Sequence, residues 1–212
     1  PDDLPELVGA LDMMALRMGY TKIFAKIPRE HSGIFLANEY DVEAEIPGLY
    51  GDSSSGLFLG RYLDARRSED PELSELETLK DSCEQKARKP ADDLKPLPEE
   101  AALFRCTADD IPEMAELYAQ VFSSYPFPIQ DREFLRQTMD SHVNYFGIRV
   151  KGHGIAALSS AEKDPEHGSA EMTDFATHPD MRGRGYASRL LRHMGRELST
   201  EQFPILYTIA RA

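Results

Sequence analysis

Glu171-Met172-Thr173-Asp174-Phe175-Ala176-Thr177, continued by His178-Pro179-Asp180-Met181 and then Arg182-Gly183-Arg184-Gly185-Tyr186-Ala187, is the stretch that decides how this chain is read. A strand empties into a proline turn, and glycine-spaced residues then open a helix. The first N–H groups of a helix have no intrahelical acceptor, so such a turn can hold an anion, a pyrophosphate above all. Two common nucleotide loops are excluded. No Gly-Lys-Ser/Thr follows, which removes the ATPase loop. The dinucleotide spacing is not kept either, because Gly183 is preceded by arginine and position 187 is alanine.

The helix after the glycines is expected over Gly185 to Leu198. Leu190, Leu191, Met194 and Leu198 recur at helical spacing and should bury against a sheet, while Arg189, Arg192 and Arg196 fall on another face. Arg184 and Arg189 stand nearest the helix start, where guanidinium forks suit phosphate oxygens; Arg196 reads as a solvated basic face. Upstream, Phe104 lies on a short strand. A helix runs from Thr107–Asp110 through Phe122, and Pro112, tolerated only in a first turn, favours Asp109 as its start. Its buried stripe is Ile111, Met114, Leu117, Tyr118 and Val121. A second short helix, Asp131 to Met139, is capped by Asp131. Asn144 to Val150 and Gly154 to Ser160 form a hairpin across Lys151-Gly152-His153. After a turn at Lys163 to Gly168 come the strand Glu171 to Thr177 and, past the helix, a final strand at Ile205 to Ala210. Together these make one α/β domain over residues 101–212.

Two further regions precede it. Residues 67–100 are charge-dense, with Pro71, Pro90, Pro96 and Pro98 at bends and ends, and read as a linker carrying a polar helix, Leu73 to Arg88. Residues 1–66 form a smaller α/β block. It has a helix from Leu7 to Met18 stopped by Gly19, a strand from Tyr20 to Ile27, short strands at Ile34–Leu36 and Val42–Ile46, and another at Leu57–Leu63.

Composition narrows the function. With 41% hydrophobic and 29% charged residues the chain is that of a soluble globular protein, and no stretch has the apolar length to span a bilayer. Pro1-Asp2-Asp3 does not begin a signal peptide, so a cytoplasmic location is expected. A net charge of -13 argues against a nucleic-acid partner; it serves solubility and suits a cationic small substrate. Cys83 and Cys106 match no metal spacing and read as free thiols. His142, His153 and His167 sit in separate loops, and His178 reads as a turn residue, so no metal is expected.

The element order and Arg182-x-x-Gly185-x-Ala187, preceded by His178-Pro179, resemble the GCN5-related N-acetyltransferase (GNAT) superfamily. Further stretches are similar to the bacterial and archaeal beta-lysine N-acetyltransferases: Tyr20-Thr21-Lys22-Ile23-Phe24-Ala25-Lys26-Ile27-Pro28, Glu43-Ala44-Glu45-Ile46-Pro47-Gly48-Leu49-Tyr50, Ala170 to Thr177, and Tyr207-Thr208-Ile209-Ala210-Arg211-Ala212. The resemblance implies a mixed α/β acyl-CoA N-acyltransferase fold with splayed central strands. It implies transfer of an acetyl group from acetyl-CoA to the terminal amine of beta-lysine, giving the compatible solute N6-acetyl-beta-lysine.

It also implies roles for particular residues. Backbone groups of Asp174, Phe175 and Ala176 would pair with the pantetheine arm. The N–H groups of Arg182, Gly183, Arg184, Gly185, Tyr186 and Ala187 would cradle the pyrophosphate, with Arg189 nearby. Glu171 is the first candidate for general base or amine anchor. Strict alternation places Glu171, Thr173 and Phe175 on one face and Met172, Asp174 and Ala176 on the other. Asp174, inside the strand, needs a partner, either the substrate or an arginine, and is the second catalytic candidate. Tyr125 is expected to line the acceptor pocket or to act as an apolar lid, and Glu45 and Tyr50 are the candidates from the first block.

The chain departs from the superfamily pattern by ending just after the last predicted strand. The helix and two strands that usually follow, with the tyrosine that protonates the thiolate, are expected beyond residue 212. The first block reads as a partial copy of the same unit, able to shape the pocket or to form a homodimer surface. Rival readings are an acetyl-CoA-binding module without turnover, a nucleic-acid binder using the arginine helix, and transfer to another diamino acid, a polyamine or a protein amine.

Overall fold

The computed structural model describes residues 3–51, 54–69, 73–87 and 96–209. The bends expected at Pro71 and Pro90 and the element ends expected at Arg88 and Ala210 lie outside the described residues. The chain divides into two compact units, Pro1–Lys89 and Pro90–Ala212, and the division falls inside the segment read as a linker.

The first unit begins with helix α1 (Leu4–Met18), closed by Gly19 in the left-handed conformation at φ 68. Strands β1 (Lys22–Pro28), β2 (Asp41–Ile46) and β3 (Gly56–Tyr62) form an antiparallel sheet in the order β1-β3-β2. Its core gathers Val8 and Ala15 of α1 with Ile23, Phe35, Tyr40, Leu57 and Leu59. Ile34–Leu36 is not a strand. It belongs to a single-turn helix, α2 (Ser32–Leu36), which buries Phe35 and is tied off by Asn38 Nδ2 donating to the Ile34 carbonyl at 2.8 Å. Three apolar residues are too few to distinguish the two periods. Helix α3 (Leu73–Ala87) is the polar helix of the charged segment.

The second unit holds a five-stranded sheet in the order β4-β5-β6-β7-β8. Its strands are β4 (Ala101–Arg105), β5 (Val143–Val150), β6 (Gly154–Asp164), β7 (Ser169–Thr177) and β8 (Ile205–Tyr207), and only β7 and β8 run parallel. Helices α4 (Ile111–Val121) and α5 (Arg132–Met139) cover one face, with Met114, Leu117, Tyr118 and Leu135 packed on Tyr145, Leu158 and Ala176. Helix α6 (Tyr186–Thr200) covers the other, with Tyr186, Leu190, Met194 and Leu198 against Phe146, Ile148, Ala161 and Met172. Every fourth residue of α6 is buried, a ridge too narrow to include Leu191, which stays 40% exposed.

The helical turn before α4 starts at Thr107, not Asp109. The Thr107 N–H donates to the Asp110 carboxylate at 2.8 Å, and a 3-10 turn over Ala108–Asp110 fills the space before Pro112. Pro112 thereby sits in the first turn of α4 without displacing the cap.

One irregularity reorganises β7. In the β6–β7 ladder Leu158 pairs with Ala176 and Ser160 with Thr173, so three residue steps on β7 face two on β6. This is a bulge, and Asp174 takes it up at φ 56. Before the bulge Ala170 and Met172 face α6; after it Phe175 packs on the α6 side and Ala176 on the α4 side. The strict alternation expected from the sequence therefore fails, and Asp174 comes to the same face of the sheet as Glu171.

Candidate active site

The anion loop follows directly from β7. His178 donates its N–H to the Ala156 carbonyl at 2.9 Å, and its Nδ1 accepts from the Asp180 N–H at 3.3 Å, which starts the 3-10 turn Pro179–Met181. Gly183 and Gly185 then adopt φ 76 and 74, where a side chain would be strained. A Cβ on Gly183 would meet no heavy atom within 4 Å, so that glycine serves backbone conformation and close approach rather than packing.

The Arg182 N–H is used by the Pro179 carbonyl (3.3 Å), and the next main-chain donor with an acceptor is Arg189, to Gly185 (3.1 Å). Among the described residues, the N–H groups of 183–188 between them have no main-chain acceptor. They open on a cleft of ≈540 Å³ whose walls include Val121, Phe175, Thr177, Met181, Ala187 and Ser188. The Tyr186 ring is 2% exposed and packed under α6, so this residue can offer a ligand only its main chain. Arg182 donates Nε to the Thr177 carbonyl (3.4 Å), Arg184 is exposed, and Arg189 carries a buried Nε without a hydrogen-bond partner.

The strand edge beside this loop is open. β8 pairs with β7 only from Ser169–Ile205 to Glu171–Tyr207. Beyond Glu171, among the described residues, this side of β7 has no strand partner, so Asp174, Phe175 and Ala176 lie along the opening.

On the α4–α5 face the bulge assembles a second feature. The buried Asp174 carboxylate accepts from Ser160 Oγ (2.6 Å) on one oxygen and from the Tyr125 hydroxyl on the other. The partner is thus a pair of hydroxyls, not the arginine that the sequence left open, because the bulge turns the carboxylate away from the arginine-bearing helix. Burial and the neighbouring Asp174 push the Tyr125 phenol up to about 12. Tyr145, bonded to Thr138 Oγ1 at 2.8 Å, is also pushed up to about 12, by burial first and against the Thr138 hydroxyl, with Asp174 and Glu162 adding to the rise. The fully buried Tyr118 hydroxyl, raised by burial and by Asp174, has no hydrogen-bond partner. Glu171 lies opposite Glu162 on one side and Tyr207 on the other. Burial and the Glu171 carboxylate hold the Tyr207 phenol above its ordinary value.

The structure therefore joins Asp174 and Tyr125 by a hydrogen bond, leaves Glu171 further along the same face of β7 between Glu162 and Tyr207, and gathers Phe175 with Arg182, Gly183, Gly185, Tyr186 and Ala187, but not Arg184, around one cleft. Glu45 and Tyr50 belong to the first unit, where Glu45 is ion-paired with Arg29 and Tyr50 donates to the Lys26 carbonyl at 3.4 Å. Ser160, Tyr118 and Tyr145, which neighbour Asp174, and Glu162, which neighbours Tyr125 and Tyr145, are not candidates from sequence, since pairing between distant strands and helices brings them together. Among the described residues no group of three or more His, Cys, Asp or Glu could hold a metal ion, and no helix is long and apolar enough to cross a membrane. Cys83 is exposed and Cys106 buried, both as free thiols.

Residues 111–210 match the model of the acetyltransferase (GNAT) family. A beta-lysine N(6)-acetyltransferase of Methanosarcina mazei is 41% identical over 116 residues, 55% of this chain and 42% of that protein. Another, from Methanococcus maripaludis, is 28% identical over 99% of this chain and 75% of its own length. The N-acetyltransferase YodP of Bacillus subtilis is 26% identical over 99% of this chain and 73% of its own. The match thus spans less than half of the first relative and about three quarters of the other two.

Proposed function

We propose that this chain, whose residues 111–210 match the acetyltransferase (GNAT) family, transfers an acetyl group from acetyl-CoA to the terminal amine of beta-lysine. The product would be N6-acetyl-beta-lysine, a compatible solute. The observation that carries the reading is the row of main-chain N–H groups at 183–188 without acceptors, at the end of a strand whose edge is open.

The residues present fit the diphosphate of a coenzyme. The donors point from a helix N-terminus, the helix dipole favours negative charge there, and Gly183 and Gly185 let a ligand approach the backbone. The buried, unpartnered Nε of Arg189 adds a cationic donor to the same helix start. Bound there, acetyl-CoA supplies an acetyl group activated as a thioester. The open edge at Asp174, Phe175 and Ala176 offers main-chain groups for the pantetheine amides and for polarising the thioester carbonyl.

An alkylammonium has an ordinary pKa of about 10 and must lose a proton before its nitrogen can attack. Glu171 and Glu162 are suited to hold the cation, and the chain's net charge of -13 favours its approach. The two relatives named for beta-lysine support this acceptor over other amines. The test is acetyl-CoA consumption by the full-length protein with beta-lysine, lysine, ornithine and spermidine. Turnover strongest with beta-lysine is expected; a preference for spermidine would replace the acceptor, and none with any amine would favour a binding module.

A further inference from the structure

Resting on the acetyl-transfer reading, we propose that Tyr125 and Asp174, held in place by Ser160, form the relay that removes the proton from the acceptor ammonium. Tyr125 touches the amine and Asp174 receives the proton.

Asp174 is 8% exposed and Ser160 fully buried, and the two carboxylate oxygens are covered by the Ser160 and Tyr125 hydroxyls. An ammonium cannot reach the carboxylate directly. Tyr125 is only partly buried, in the segment between α4 and α5, so of the three hydrogen-bonded residues it is the one nearest solvent. The arrangement is built at a cost. A non-glycine residue at φ 56 is disfavoured, and such a conformation persists where surrounding contacts determine it, here those of Ser160 and Tyr125. A second sign of a ligand site is the buried Tyr118 hydroxyl near Asp174, which has no hydrogen-bond partner among the described residues.

The step balances. An N–H bond of the ammonium breaks and its proton goes to the Tyr125 oxygen, while the proton Tyr125 held passes to the Asp174 carboxylate. The nitrogen keeps the electron pair with which it attacks, and one positive and one negative charge vanish together. Tyr125 holds its proton firmly in the resting state, so it hands one on as it receives one and is not a standing phenolate. Around the relay stand Tyr118 from α4, Tyr145 from β5 and Glu162 from β6, and Glu171 of β7 pairs across from Glu162; the two carboxylates are suited to hold the ammonium.

The test uses the full-length protein as wild type, Tyr125→Phe, Asp174→Asn and Ser160→Ala. Each is assayed with the amine turned over best and with an analogue fluorinated beside that amine, which is already neutral at the assay pH. Tyr125→Phe and Asp174→Asn should each lower kcat about 100-fold with the ordinary amine, and the double variant should be no worse than either alone. With the fluorinated acceptor the loss should shrink to about 5-fold or less, because no proton need be removed. Ser160→Ala should fall between wild type and Asp174→Asn. Two readouts do not depend on turnover: coenzyme A affinity by calorimetry should be unchanged in Tyr125→Phe, and the Cζ NMR signal of Tyr125 should move when the amine is added. An active wild type with an equally active Tyr125→Phe, or equal losses with both acceptors, overturns the relay alone. A wild type that acetylates no amine overturns the acetyl-transfer reading, and the relay with it.

Discussion

Both units of this chain lay helices on an antiparallel or largely antiparallel sheet and match charged side chains within the fold, but the second also opens a run of main-chain donors onto a cleft. In the first unit, charged side chains are matched within the fold. Lys22 meets Glu43 at 2.6 Å and the Tyr62 hydroxyl at 3.2 Å, Arg61 is paired with Asp12 and Glu39, and Ser54 donates to Glu30 at 2.6 Å. One buried hydroxyl there, that of Tyr40, lacks a partner, but the charges beside it, Asp12 and Arg61, are paired with each other. In the second unit, among the described residues, the N–H groups of 183–188, the Arg189 Nε, the Asn144 Nδ2 and the Tyr118 hydroxyl have no hydrogen-bond partner, and β7 has no strand partner on its β8 side beyond Glu171. Folded proteins pair nearly all their buried polar groups, so a concentration of unpaired ones marks where a ligand completes the structure.

The sharpest way to break this contrast is to strain each unit at a glycine. Replacing both Gly183 and Gly185 by valine puts β-branched residues at φ 76 and 74 and should lower acetyl-CoA affinity at least about 100-fold, measured by calorimetry. Gly56→Val is the mirror experiment, because a Cβ there would lie 2.2 Å from Leu49 Cδ2. It should destabilise the protein by about 1–3 kcal/mol in urea while leaving affinity for the coenzyme unchanged. If Gly56→Val impaired coenzyme binding as strongly, the division of labour would be wrong.

Smaller effects sharpen the same comparison. Arg189→Met should weaken coenzyme binding by about 10-fold, the low end of the scale of one charge-assisted contact, without loss of stability. In the first unit, burial opposes but Lys22 and Tyr62 outweigh it, and the Glu43 carboxyl is held below its ordinary value. A depressed folded pKa stabilises above the unfolded value, about 4.3, and that stabilisation is lost as pH falls through the folded value. Glu43→Gln should therefore flatten the acid limb of urea stability, by less than about 1 kcal/mol because the pair is partly exposed.

Much of this was legible in the sequence because it is local. Gly19 stopping α1, Asp131 capping α5 and the glycine loop opening α6 each follow from residues within a few positions. What could not be read depends on pairing between distant strands. The bulge that turns Asp174 is a register shift against Ser160 and leaves no mark on the alternation of β7. Ile34–Leu36 was too short to show its period, and Leu191 looked apolar enough to bury although α6 needs only a one-residue-wide ridge. The glycine motif located the anion loop, whereas the hydroxyls around Asp174 had to be found in three dimensions.

The claim on which the functional account stands is that the main-chain donors of 183–188 hold the coenzyme. Amide NMR on the labelled protein tests it most directly, by titration with coenzyme A and, separately, with pantetheine. The account predicts that the amide signals of residues 183–188 shift with coenzyme A and stay in place with pantetheine, which lacks the diphosphate. Saturable binding of coenzyme A that moves other amides and leaves those signals unchanged would contradict it.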